Sequence, residues 1–230
     1  MAIILNIETS TTNCSVAISQ NGNQLFLKED NNDKYSHSER LHQYIDEVLK
    51  ITKTDIRDLD AIAVSMGPGS YTGLRIGVSS SKGLCFALDI PLISIPTLEI
   101  LAHKMKVNQG FIVPALDARR MEVYSAVFNS NYNWIESTSA KILEPNSYSN
   151  FLKSEMVYFV GNATEKTKAI ISNQNAKFSH QLPSASQMCE LSFEKFKKNK
   201  FEDLAYFEPY YLKDFMLSLI HISEPTRQVP

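Results

Sequence analysis

Residues 60–88, DAIAVSMGPGSYTGLRIGVSSSKGLCFAL, constrain the fold more than any other stretch of the chain. Ala61-Ile62-Ala63-Val64 is a short apolar run of strand type. It runs into Met66-Gly67-Pro68-Gly69-Ser70, turn chemistry in which glycine takes positive φ and proline holds its own. From Tyr71 or Thr72 to Leu88 the spacing is helical, with Leu74, Val78, Cys85 and Leu88 on one side. Gly73, Gly77 and Ser81 recur every fourth residue in the same helix. Each glycine costs roughly 1 kcal/mol against alanine. Small residues at that spacing therefore point to close approach by another backbone or a bulky side chain. Close packing inside one domain and a subunit interface both fit.

The unit is not a Walker phosphate loop, because counted from Gly67 it is Thr72 that stands where the second glycine belongs. Nor is it a nucleophile elbow, since Ser70 is out of register with G-x-S-x-G. Gly69 and Ser70, at the helix N-terminus, offer free N–H groups to an anion. With 230 residues and 43% hydrophobic content, the chain suffices for one large domain or two small ones. A net charge of −2 opposes any global attraction to RNA or membrane. Cys14, Cys85 and Cys189 are odd in number and lie among apolar neighbours, which reads as reduced thiols in a cytosolic protein. Met1–Leu5 lacks the basic flank of a signal peptide, and no apolar run approaches the roughly 20 residues of a membrane span. The expectation is a soluble, cytoplasmic protein.

In chain order, Ile3–Ile7 and Ser15–Ser19 read as strands around the polar turn Thr9–Asn13, and Asn21-Gly22 is a hairpin turn into Gln24–Lys28. Ser36-His37-Ser38-Glu39 fits a capping box, after which Leu41, Tyr44, Ile45, Val48 and Leu49 line a helix face over Ser38–Leu49. The central unit follows, then a strand over Ile90–Ile95 and a helix over Thr97–Lys104. After Asn108-Gln109-Gly110 the pattern restarts: strand Ile112–Leu116, turn Asp117–Arg120, strand Glu122–Phe128. Glu8 precedes Ser15 by seven residues as Asp117 precedes Tyr124, which reads as a degenerate internal duplication. Further on come a strand over Lys141–Leu143, a short helix near Ser147–Leu152 and a strand over Val157–Val160. Helices over Ala163–Ile171 and Ser184–Phe196 complete the pattern. The lysine run from Lys195 to Lys200 reads as a solvated helix end. Beyond about Met216 the chain shows no period that continues the domain. It reads as a non-native or disordered tail, and deletion of Leu217–Pro230 is expected to change the melting temperature little.

Two related halves, each opening with strands around an acidic turn, suggest an α/β actin-like ATPase fold, in which those turns face a nucleotide cleft. Ile4-Leu5-Asn6-Ile7-Glu8-Thr9-Ser10, Gly67-Pro68-Gly69-Ser70-Tyr71-Thr72-Gly73-Leu74-Arg75-Ile76-Gly77 and Asp117-Ala118-Arg119 together resemble the bacterial TsaB (YeaZ) family. His37-Ser38-Glu39 and Pro209-Tyr210-Tyr211-Leu212-Lys213 fit it as well. The resemblance spans about residues 1–215. It implies two subdomains, each with a mixed sheet and helices, over 1–105 and 106–215, with 216–230 as the tail. It also implies a non-catalytic subunit for threonylcarbamoyladenosine formation beside the tRNA anticodon, partnering the catalytic paralogue TsaD and the ATPase TsaE. ATP and metal would then belong to the partners and tRNA would be met through the complex, while the resemblance leaves open whether the chain alone forms a homodimer.

The catalytic paralogue carries His-x-x-x-His after its own glycine motif. Here Thr97 and Leu101 stand at those places, and none of His37, His42, His103, His180 and His221 forms such a pair. The implied docking face for the paralogue combines the two helical stripes, Leu41, Tyr44, Ile45 and Val48 with Gly73, Leu74, Gly77, Val78, Ser81 and Cys85. The candidates for a nucleotide cleft are Glu8, Thr9, Ser10, Gly69, Ser70 and Asp117, although capping a neighbouring N–H is the commoner role of a turn acid. Arg75 and Arg119 suit a carboxylate or a phosphate. The competing functional class is an active enzyme, an ATP-using member of the fold or a glycoprotease-type peptidase.

Overall fold

A computed structural model describes residues 1–31 and 37–213. The chain opens with β1 (Ile3–Glu8), β2 (Asn13–Gln20) and β3 (Asn23–Asn31). Asn21 and Gly22 take φ of 52° and 83° between β2 and β3, the left-handed backbone that Asn-Gly accepts at low cost. Next come α1 (His37–Thr52), β4 (Ala61–Gly67), α2 (Tyr71–Leu88), β5 (Leu92–Pro96) and α3 (Thr97–Ala102). Ser36 of the expected capping box lies outside the described residues. The first sheet has the order β3-β2-β1-β4-β5, antiparallel across β3-β2-β1 and parallel across β1-β4-β5.

The second half repeats this. β6 (Phe111–Asp117), β7 (Glu122–Asn129) and β8 (Trp134–Ile142) are followed by α4 (Ser149–Leu152), β9 (Val157–Val160), α5 (Thr164–Ile170), β10 (Ala176–Ser179) and α6 (Ala185–Lys197). Its sheet has the order β8-β7-β6-β9-β10 with the same strand senses. Glu8 therefore closes β1 as Asp117 closes β6, and the fold is actin-like with two related lobes. Two strands differ from the sequence reading. β8 begins at Trp134 instead of Lys141, because it is an exposed edge strand without alternation. β10 has no sequence counterpart at all, being four residues held by parallel pairing to β9.

Each lobe covers its sheet with helices, and the last helix of each lobe packs on the other. Leu98, Leu101 and Ala102 of α3 pack with Ile112, Leu116, Ala126, Phe128 and Val160 of the second lobe. Ala185, Met188 and Cys189 of α6 pack with Ile4, Ala17, Ala61, Ala63 and Ile93 on the first sheet. The chain then stays on the first lobe. Glu202 bridges to Leu92, Phe207 enters the core beside Leu5 and Val78, and the Tyr210 N–H donates to Met66 O at 2.7 Å. The described part of 106–215 is therefore not a single subdomain, because α6 and Phe207 bury apolar side chains in the core of the first lobe. The residues from 216 on, expected as a tail, lie outside the described residues.

Candidate functional site

The central turn and helix are built around the β1–β2 turn. Ser70 caps α2: its Oγ accepts from Gly73 N at 3.2 Å, while its own N–H donates to Ser10 O at 2.7 Å. Thr9 Oγ1 donates to Gly73 O at 2.8 Å. A Cβ on Gly73 would fall on Thr9 O, one on Gly77 on Thr9 Oγ1, and one on Gly69 on Ser10 O. The small-residue stripe is thus the seat of the chain's own turn, which presses into the first turns of α2.

Behind that turn lies Glu8, wholly buried. Its Oε1 accepts from Ser10 N at 2.6 Å, while Oε2 has no partner among the described residues, nor do the hydroxyls of Ser10 and Ser65. Burial pushes its carboxyl up to about 7, against the opposing pull of Ser10, Ser65 and the Lys104 ammonium. A carboxyl so enclosed serves poorly as ligand to a nucleotide-bound cation, because it presents no oxygen to solvent. Asp117 is half exposed in the other lobe and answers to different partners. The Lys166 ammonium, from α5, pairs with its carboxylate and also donates to Arg120 O at 3.1 Å and Glu122 O at 2.5 Å. The Asp117 N–H donates to Asn162 Oδ1 at 2.8 Å. Glu8, Thr9, Ser10, Gly69 and Ser70 are therefore brought together, whereas Asp117 is not joined to them.

The expected docking residues are also placed differently. Leu41, Tyr44, Ile45 and Val48 of α1, and Val78 and Cys85 of α2, pack on Leu5, Ile7, Val16, Ile18, Ile62 and Val64 in the core of the first lobe. Gly73, Leu74, Gly77 and Ser81 are buried as well. None of the ten offers a surface to a partner, which corrects the expectation. An amphipathic stripe beside a sheet of its own chain gains roughly 1.5–3 kcal/mol per large side chain by turning inward. What the two helices leave outside is a different set. Phe86 is 81% exposed, Gly83 faces open space, and Ser80 Oγ meets His42 Nε2 at 3.3 Å across the pair. Phe86 follows Cys85 by one residue, about 100° around the helix, so the same period that marks the core marks Phe86 as outward.

Comparison with known proteins bears on this geometry. A family model described as TsaD: tRNA N6-adenosine threonylcarbamoyltransferase matches residues 32–220. The TsaB protein of Haemophilus influenzae is 29% identical over 222 residues, 92% of this chain and 93% of that protein. The TsaB protein of Buchnera aphidicola subsp. Schizaphis graminum is 32% identical over 172 residues, 72% of this chain and 81% of that protein. The chain belongs to the TsaB (YeaZ) family. A Staphylococcus epidermidis tRNA N6-adenosine threonylcarbamoyltransferase is 35% identical over 116 residues but is matched over only 34% of its length. Similarity to TsaB thus runs along nearly the whole chain, and similarity to that transferase along a part. The crystal structure of a Pseudomonas aeruginosa protein described as similar to peptidase YeaZ has a TM-score of 0.82 at 24% identity, covering 93% of this chain and all of that one. That likeness concerns the fold.

Within this TsaB-family chain, Thr97 Oγ1 accepts from Gly67 N at 3.1 Å, so it holds the glycine turn. Leu101 lies in the apolar core of the second lobe. Neither position supplies an imidazole ligand of the His-x-x-x-His kind. Lys166 went unnoticed in the sequence because its partner is 49 residues away and no local pattern marks the pair. No helix among the described residues is long and apolar enough to cross a membrane.

Proposed function

We propose that this TsaB-family chain is a non-catalytic subunit in the formation of threonylcarbamoyladenosine on tRNA, binding a TsaD-type catalytic paralogue and working with a TsaE-type ATPase. The observation that carries the reading is the closure of the β1–β2 turn. Glu8 lies behind Thr9 and Ser10, with α2 seated on them, which speaks against use of this acid to hold a nucleotide's cation. The names of the full-length relatives supply the process, and ATP and metal are assigned to the partner subunits. The setting is the cytoplasm, where such a complex meets tRNA.

The paralogue docks on the outward side of α1 and α2, around Phe86 and Gly83. Gly83 has no Cβ and nothing near it, so another helix can approach its backbone closely. Phe86 is a large apolar side chain left in water, the kind of anchor that dominates an interface when covered. In isolation the same surface pairs two copies of the chain. Calorimetric titration of the paralogue into Phe86→Asp and Gly83→Leu tests this. Both variants are expected to melt like wild type, since neither side chain enters the core, and to bind at least tenfold more weakly. Unchanged affinity in both would remove this surface from the reading. ATPase or peptidase turnover by the purified chain would favour the enzyme class instead.

A further inference from the structure

We propose that this chain contacts RNA directly, along a track of arginines and tyrosines that runs from the β6–β7 turn to α2 over residues 206–213. The inference rests on the function proposed above for its choice of RNA, and it departs from that reading in making the contact the chain's own.

The first part of the track is the β6–β7 turn. Arg119 and Arg120 are both exposed, and neither guanidinium makes a hydrogen bond or ion pair to any described residue. Their φ values are 67° and 51°, adjacent left-handed positions that cost an L side chain roughly 1–2 kcal/mol each. A turn selected only for closure would carry Asn or Gly there. Lys166 and Lys213 stand beside them, answering Asp117 and Glu122. Four cations thus meet two carboxylates at one end of a chain whose net charge is −2.

The second part follows from residues 206–213, which lie as a strap along the first lobe. Lys213 Nζ reaches Ala118 O at 3.5 Å, which ties the strap to the arginine turn. Two residues back, Tyr211 is 38% exposed and its ring lies 4.9 Å from that of Tyr71. Arg75 sits over Tyr71 with its guanidinium carbon 5.4 Å from the ring centre, and donates to the Tyr71 hydroxyl at 3.1 Å. It has no ion pair among the described residues. These groups border a groove of about 300 Å³ between α2 and the strap. Glu208 is the carboxylate that lines it, and Lys82 is occupied there by the carbonyls of Ala205 and Phe207.

Cations interleaved with accessible aromatic rings are what an unpaired nucleic-acid strand requires, because phosphates take the guanidinium and bases stack on the rings. An acidic peptide would use the arginines but gain little from the paired tyrosines. The two kinds of contact also separate experimentally. Phosphate contacts release counterions and so depend on salt, at about 0.7 per phosphate on a single strand, whereas stacking does not.

The test measures fluorescence anisotropy of a labelled, unmodified tRNA transcript with the full chain, alone and with its TsaD-type paralogue, over a salt series. The Arg119→Gln/Arg120→Gln double variant is expected to lose about tenfold in affinity, with the slope of log K against log salt smaller by roughly 1.4. Tyr211→Leu is expected to lose several-fold with the slope unchanged. Wild-type affinity and slope in the double variant would overturn the proposal, as would absence of tRNA binding by wild type in both settings. Loss of paralogue binding with the tRNA slope intact would also overturn it and assign the surface to protein. Paralogue affinity is read in the same samples. A wild-type chain that binds tRNA but no paralogue refutes the subunit reading and leaves this one standing.

Discussion

Glu8→Gln is the substitution whose effect the structure specifies most fully. The carboxyl is wholly buried, and burial raises its pKa from the ordinary 4.5 to about 7. The folded chain therefore holds a proton that the unfolded chain has released throughout that interval. Stability associated with the group is complete below the ordinary value, falls as pH rises, and is lost once pH passes about 7. The loss amounts to roughly 3 kcal/mol, at 1.36 kcal/mol for each unit of pKa. Glutamine keeps the oxygen that Ser10 N–H requires and turns its amide towards the Ser10 and Ser65 hydroxyls, which accept from it. It thus imitates the protonated acid at every pH. Other groups titrate in the same range, so the quantity to follow is the difference between variant and wild type. Chemical denaturation at pH 5 and pH 8 should show the glutamine variant gaining roughly 2.5 kcal/mol on wild type between the two, part of the loss having already occurred by pH 5. For a chain of this length that corresponds to a melting difference on the order of 5–10 °C. A difference that stays constant from pH 5 to pH 8 would refute the claim that burial raises the pKa of Glu8.

Two further substitutions probe the β1–β2 turn and the glycine turn beside it, and both read out in stability. Gly77→Leu places a branched side chain on Thr9 Oγ1, so it should lower stability by about 1–3 kcal/mol or more through overpacking; a melting temperature equal to wild type would show that the turn yields. Thr97→Val keeps the shape but removes the acceptor of the buried Gly67 N–H, for an expected loss of about 1–3 kcal/mol in denaturant titration. Recovery of full stability in Thr97→Ser, with Val as damaging as stated, would tie the effect to the hydroxyl.

Much of the architecture was written locally. The Asn21-Gly22 hairpin, the strand before Gly67 and the three-four period of α1 and α2 follow from residues within a few positions of one another. Local pattern is enough to form such elements. The correspondence of Glu8 with Asp117 is likewise visible in the chain and reappears as two sheets of identical order. Period cannot say which surface covers an apolar stripe. Leu41, Tyr44, Ile45 and Val48 would look the same beneath a partner as they do on β2. Only the position of α1 over its own sheet turned them inward and left Phe86 and Gly83 outside. The same holds for the glycine stripe, whose neighbour, Thr9, lies 64 residues away from Gly73 in the sequence. β10 exists because β9 offers it a parallel edge, and α6 left its own half because the first sheet had an uncovered apolar face. The charge state of Glu8 belongs to the same class. The residue type sets an ordinary acid, and only enclosure by elements distant in sequence withholds the water that would ionise it.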